Sequence, residues 1–258
     1  MSPTTLPPEI RIVADADALA RASAEEFRQA VDSAVGARGQ AAVALSGGST
    51  PRLLYRLLAG DADRDRIPWA RVHFFFGDER HVPPEDPESN YRMAFEAMLQ
   101  RAPVPQGNIH RIRGEAPEAK AAASDYERDL TRHFRLRAGE FPRFDLALLG
   151  LGADGHTASL FPGTRALREE RRLAVANWVG KLDTTRITLT APVFNHAACV
   201  LFLVSGQDKA IPLKSVLQGA HEPEQLPAQL IHPDRGRLLW LADRAAASRL
   251  SGGIARSG

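Results

Sequence analysis

The residues best suited to chemistry lie in one stretch, Phe144 to Gly163, FDLALLGLGADGHTASLFPG. Asp154 and His156 stand two apart among Gly150, Gly152 and Gly155, with Thr157 and Ser159 just after. A histidine titrates near pH 6.5, so its neutral ring can serve as a general base at pH 7. Glycines let the backbone take conformations other residues avoid, and let a ligand approach it closely. The preceding apolar run, Leu146 to Leu149, reads as a buried strand. The titratable pair therefore falls at the carboxyl end of a strand, where open α/β sheets bind ligands. The plainer alternative is ordinary Gly-Asp turn chemistry. The glycines also spell G-x-G-x-x-G, but that fingerprint needs a long helix after it and an acid closing the next strand. Pro162 and Gly163 cut the helix short, and Glu169 and Glu170 fall in the charged run REERR, so nucleotide binding is not expected.

A second motif, Ser46 to Pro51 (SGGSTP), follows the apolar run Ala41 to Leu45. Gly47 and Gly48 permit a tight turn whose N–H groups converge on an anion at the positive end of the next helix. Ser46, Ser49 and Thr50 add hydroxyl donors. Thr50 is expected to cap the helix, with Pro51 at its first position. The loop has no P-loop lysine, so it predicts a phosphate site without a nucleotide. A third motif, Gly77 to Tyr91 (GDERHVPPEDPESNY), puts Asp78, Glu79, Arg80 and His81 directly after a strand. Lys209 lies near the start of a helix, where a cation is unfavourable unless an anion compensates it. No metal site is expected: His73 and His81 bracket a strand and no H-x-x-x-H pair appears.

The elements that must position these groups alternate along the chain. Strands are expected at Ile10–Val13, Ala41–Leu45, Val72–Phe76, Phe144–Leu149, Leu173–Val179, Arg186–Thr190, Cys199–Val204 and Leu238–Leu241. Helices are expected at Asp15–Ala37, after Pro51, from Ser89, at Pro117–Arg137, at Pro192–Ala197 and after Gly206, where Pro212 implies a kink or the true start. This order predicts an α/β fold with a mainly parallel sheet and helices on both faces. A single domain over residues 1–258 is expected, with 1–9 and 251–258 loose at the ends. Pro223 to Pro233 reads as a surface connection.

Composition narrows the class. With 44% hydrophobic residues in 258, the chain can bury a large core. A formal charge of +2 with no concentrated basic stripe argues against nucleic acid. The one cysteine, Cys199, lies in an apolar run, which excludes a disulfide and a cysteine metal site. The start, MSPTTLPPEI, has no signal-peptide pattern, and no apolar run is long enough to span a membrane. A cytoplasmic protein is expected.

Five blocks in order, LSGGSTP, FFFGDERHVPPEDPESNY, LLGLGADGHTASLFPG, RITLT and LVSGQDKA, resemble the 6-phosphogluconolactonases over nearly the whole chain. The resemblance implies the Rossmann-like fold of the sugar-phosphate isomerases and deaminases. It also implies a small sugar-phosphate lactone as partner and no cofactor; a monomer or weak homo-oligomer is expected. Glucosamine-6-phosphate deaminases resemble the chain in two blocks, but they continue DGHIAFNEP where this chain reads DGHTASLFPG, and they favour DEY over DERHVP. The remaining alternatives are such a deaminase or isomerase, and a catalytically silent sugar-phosphate regulator. Chemistry and resemblance together point to His156 as base, Asp154 as its orienter and Arg80 as a ligand of lactone or phosphate. The phosphate falls to Ser46, Gly47, Gly48, Ser49, Thr50 and Lys209, with Arg186 as a further partner. Amides of the Gly150–Gly155 loop are expected to meet the oxyanion, and Ser159 as nucleophile is a minor alternative. The lactonases often carry a Lys-Pro pair before RITLT; here the stretch is GKLDTTR, which leaves Lys181 without an assigned role.

Overall fold

Apolar runs ending in glycine loops resolve into a wholly parallel sheet in the computed structural model, which describes residues 7–60, 64–251 and 256–257. The strands are β1 (Glu9–Val13), β2 (Ala41–Leu45), β3 (Val72–Phe76), β4 (Asp78–Arg80), β5 (Ile109–His110), β6 (Leu146–Gly150), β7 (Ala174–Val179), β8 (Thr184–Leu189), β9 (Cys199–Val204), β10 (Arg237–Asp243) and β11 (Arg256–Ser257). The main sheet runs β11-β1-β10-β9-β6-β2-β3-β5, and every pairing in it is parallel. All five residues of β2 are buried, as are the first four of β6, the pattern of strands covered on both faces. The α/β class and the parallel sheet are as the sequence predicts. The looseness expected at 1–9 and 251–258 falls mostly outside the described residues. Glu9 pairs with Leu239, and Arg256–Ser257 pair with β1.

The longer helices are α1 (Ala16–Arg38), α2 (Ser49–Leu58), α4 (Ala119–Phe134) and α6 (Ala210–Gln218), with short α3 (Asn90–Ala94) and α5 (Ala191–Asn195) between them. Asp15 caps α1 by accepting from Ala18 N–H at 2.8 Å, and Gly39, at φ 77°, ends it in the left-handed conformation glycine allows. Phe27 of α1 stacks on Phe74 of β3, with ring centroids 6.4 Å apart. On α4, Tyr126 both accepts from Phe76 N–H and donates to Phe76 C=O, at 2.8 and 2.9 Å. Pro212 sits in the first turn of α6, where its missing N–H costs nothing, and a single 3-10 turn, Gln207–Lys209, precedes the helix.

Two details depart from the sequence reading. The strands expected near 173–179 and 186–190 form, but as an antiparallel hairpin that takes in β4 as a second sheet, β4-β8-β7. Charged residues after β3 therefore form a strand of their own. The cap of α2 is Gly48 rather than Thr50, because a φ of 103° at Gly48 starts the helix two residues earlier than expected.

The chain order fixes where a ligand belongs. From β2 the chain moves outward to β3 and β5, then returns to β6 on the other side and moves outward to β9 and β10. The direction reverses between β2 and β6. Ligands of open α/β sheets bind at such a switch point, outside the carboxyl ends of the strands.

Candidate active site

The two loops at the switch point are Ser46–Thr50, after β2, and Leu151–Ser159, after β6. Each is braced from within. Tyr55, fully buried in α2, accepts from Ser46 N–H at 2.9 Å and donates to Ser46 C=O at 2.8 Å. Gly47 lies against the Asn90 amide, and a Cβ there would stand 1.9 Å from Asn90 Oδ1. The first N–H groups of α2 have no helical acceptor and point out of the helix start, at its positive end.

In the second loop, Gly152 N–H donates to His156 C=O at 2.8 Å, and Gly155 N–H to Gly152 C=O at 3.1 Å. The loop folds back so tightly that a Cβ on Gly152 would lie 2.0 Å from His156 Nδ1. That closeness seats the imidazole over its own loop. Asp154 Oδ1 lies 2.5 Å from His156 Nδ1 and accepts from His156 N–H at 3.2 Å. The ring stacks on Phe161 at 4.1 Å. With Nδ1 held by a carboxylate, Nε2 is the nitrogen left for proton transfer. Lys181, which the sequence left without a role, pairs with the other oxygen of Asp154 and lies over the Phe161 ring. The stretch read as a surface connection closes on this loop. Ala228 N–H donates to Gly155 C=O at 2.9 Å, and a Cβ on Gly155 would meet Leu226 at 2.7 Å.

Charged groups from three other elements act on His156. Burial pushes its basicity down, to about 4. The Asp78 carboxylate opposes this, and the cations of Lys209, Arg186 and Arg80 reinforce it. The fold thus brings the Asp154–His156 pair together with Arg80, Arg186 and Lys209, which lie far from it in the chain. Lys209 has a neighbour the sequence argument omitted: its Nζ lies 3.0 Å from Asp208 Oδ2. Arg80 donates to the Glu88 carbonyl and stands opposite Arg186 in the β4–β8 pair. Burial first, and then Arg80, lower the proton affinity of Arg186. Three cations around His156 would repel a divalent ion there and attract an anionic substrate.

Asp78 is a residue the sequence only placed in a charge cluster. It is buried, accepts from Ser159 Oγ at 2.6 Å and from Asn90 Nδ2 at 3.1 Å, and so ties β4 to the second loop and to the start of α3, whose Asn90 lies against Gly47. Ser159 is itself buried and held: its N–H donates to Thr188 Oγ1 and its C=O accepts from Asn177. That arrangement suits a brace better than a nucleophile. Glu79 accepts from the N–H groups of Arg80, Asn90 and Tyr91, at 2.7 to 2.8 Å, and anchors the start of α3. The oxyanion expectation narrows as well, since the N–H groups of Gly152 and Gly155 are spent inside their loop.

The chain belongs to the family of glucosamine-6-phosphate isomerases and 6-phosphogluconolactonases, whose model matches residues 14–240. Within it, the chain is similar to the 6-phosphogluconolactonase of Synechocystis sp., at 44% identity over 221 residues, 85% of this chain and 89% of that one. The 6-phosphogluconolactonase of Nostoc sp. is 40% identical over 243 residues, 94% and 98% of the two chains. Among solved structures, the 6-phosphogluconolactonase from Trypanosoma cruzi superposes with a TM-score of 0.83 at 27% identity, covering 97% of this chain and 98% of that one.

Proposed function

We propose that the chain hydrolyses 6-phospho-D-glucono-1,5-lactone to 6-phospho-D-gluconate, the second step of the oxidative pentose phosphate pathway. The observation that carries this reading is His156, held at Nδ1 by Asp154 and faced by Lys209, Arg186 and Arg80. Ester hydrolysis needs an activated water, a site for oxyanion charge and a proton for the leaving ring oxygen. In our reading His156 Nε2 removes a proton from water as the water attacks C1. The carbonyl oxygen takes up the negative charge, and Arg80 faces it. When the intermediate collapses, the ring C–O bond breaks and the imidazolium returns its proton to that oxygen. Asp154 stabilises the imidazolium, and Lys181 fixes Asp154. The phosphate lies against the Ser46–Thr50 loop, Lys209 and Arg186. Nothing in these steps calls for a cofactor.

A deaminase or isomerase reading lacks the acidic residue it would need, since positions 157–162 read TASLFP. A silent regulator would have no use for a histidine pinned by a carboxylate. We place the protein in the cytoplasm as a monomer or weak homo-oligomer. Among the described residues no helix is long and apolar enough to cross a membrane. The test is turnover of freshly made lactone, corrected for spontaneous hydrolysis. His156→Ala is expected to lower kcat by at least about 10²-fold while product still binds. Near-normal turnover in that variant would remove His156 from the mechanism.

A further inference from the structure

Three histidines meet far from the catalytic edge. His73 is the second residue of β3, His110 closes the two-residue edge strand β5, and His133 lies in the last turn of α4. Phe75 pairs with His110 in the β3–β5 register, and His73 lies two residues before Phe75, so all three side chains share one face of the sheet. Helix α4 crosses that face. His133 brings its ring to 4.5 Å from His73 and 5.0 Å from His110, centroid to centroid. One ring nitrogen from each histidine lies within 4.8 Å of the other two. His73 Nδ1 and His110 Nε2 are 3.2 Å apart. Two nitrogens bound tetrahedrally to Zn2+ at about 2.0–2.1 Å stand about 3.3 Å apart, close to what is found.

The surroundings complete the pattern. Asp129, one helical turn before His133, lies 2.9 Å from His110 Nδ1, so Nε2 is the nitrogen of that ring turned toward His73. A carboxylate on the far nitrogen of a histidine is the support that metal-binding imidazoles usually have. Phe75 stacks on His110 at 4.2 Å and 3°, giving the site an apolar wall. A cavity of about 390 Å³ opens on the Asp129 side of His110; Arg111, Arg113, Arg128 and Arg132 also line it, and His73 and His133 do not.

We propose that His73, His110 and His133 form a site for a divalent transition ion of the Zn2+ class, with Asp129 positioning His110 and solvent as the fourth ligand. Imidazole donors suit such ions. The ion would clip edge strand β5 to β3 and α4. His73 lies roughly 13 Å along the strand from the loop after β3, so the site is separate from the catalytic one. No metal was expected from the sequence because the three donors come from three elements and no two share a short spacing. The metal-free alternative is a chain of hydrogen bonds from His73 through His110 to Asp129.

The test uses the full chain, stripped with chelator, dialysed, and titrated with Zn2+ alone by calorimetry and by competition with a chelating dye. One equivalent is expected to bind and to raise Tm. Asp129→Asn should weaken binding about 10- to 100-fold. His133→Gln should remove the Tm response, and His156→Ala should leave the binding unchanged. The proposal is overturned if the wild-type chain shows no saturable Zn2+ binding, or if Asp129→Asn and His133→Gln bind as tightly as wild type. Should a variant fail to fold, Co2+ soaked into crystals of the wild-type chain decides. Anomalous scattering either places the ion among the three imidazoles or places it elsewhere, which refutes the site.

Discussion

Arg80 and Arg186 stand directly opposite one another across the antiparallel β4–β8 pair. Like charges so placed destabilise a strand pair, and burial together with Arg80 disfavours the charge on Arg186. The carboxylates of Asp78, Glu88 and Glu79 offset this in part, and a bound anion would offset it further. Arg186→Ala should therefore leave Tm unchanged or raise it, while kcat/KM falls by about 10- to 150-fold, the worth of a charged hydrogen bond at roughly 1.5–3 kcal/mol. Melting and kinetics on one preparation check this. A lower Tm with normal kcat/KM would make Arg186 a structural residue.

Gly152 tests how the base is seated. A Cβ there would lie 2.0 Å from His156 Nδ1, so alanine must drive the ring away from Asp154. Gly152→Ala should lower kcat by roughly 10²-fold, the scale of a lost general base, with KM little changed. Wild-type kcat in a folded Gly152→Ala protein would show that the Asp154 contact does not matter to turnover.

The acid limb of the pH profile should be displaced. Burial first, and then Lys209, Arg186 and Arg80 against the opposing Asp78, hold His156 at about 4, and in the proposed role the ring works only when neutral. For the free enzyme, kcat/KM should stay level as pH falls through the ordinary histidine value near 6.5 and drop only toward 4. A bound phosphate dianion offsets the cations, so the limb in kcat should lie at higher pH than the limb in kcat/KM. The folded value lies below the unfolded one. Stability from this group is therefore complete above about 6.5 and is lost as pH falls toward the folded value. Initial rates on fresh lactone across the acid range decide. A limb near 6.5 in both parameters would mean that the ring is solvated or is not the base.

Much of this was legible in the chain. Apolar runs closed by glycine marked the strands whose ends carry the proposed site. Loops such as SGGSTP and GLGADGH announced themselves because only glycine suits so tight a path. What stayed hidden depends on tertiary pairing. Lys181 meets Asp154 only because β7 and β8 fold into a hairpin that leaves the main sheet, and nothing in GKLDTTR shows that turn. Asn90 and Asp78 act through groups in other loops, so their types alone carried no signal. The α2 cap moved from Thr50 to Gly48 because Gly48 takes a φ of 103°, a backbone turn that local propensity does not foresee. The three histidines of β3, β5 and α4 share a face but not a spacing.

Lys209 separates recognition from chemistry. It caps α6 without a side-chain bond, in a place where a cation is unfavourable, and its charge reaches His156. Its carboxylate neighbour Asp208 is largely exposed and so offsets it weakly. In the reading above, Lys209 meets the phosphate. Lys209→Ala should then lower kcat/KM by about 10- to 150-fold with the phosphorylated lactone, and far less with glucono-1,5-lactone, which has no phosphate to lose. His156→Ala should damage both reactions in similar proportion, because water activation is common to them. The ratio of the two substrates' kcat/KM in each variant is the measurement. If Lys209→Ala harms both equally, Lys209 serves the base or the fold, and the phosphate must be sought nearer Arg80 and the cavity of about 810 Å³ that opens beside it and Gly48.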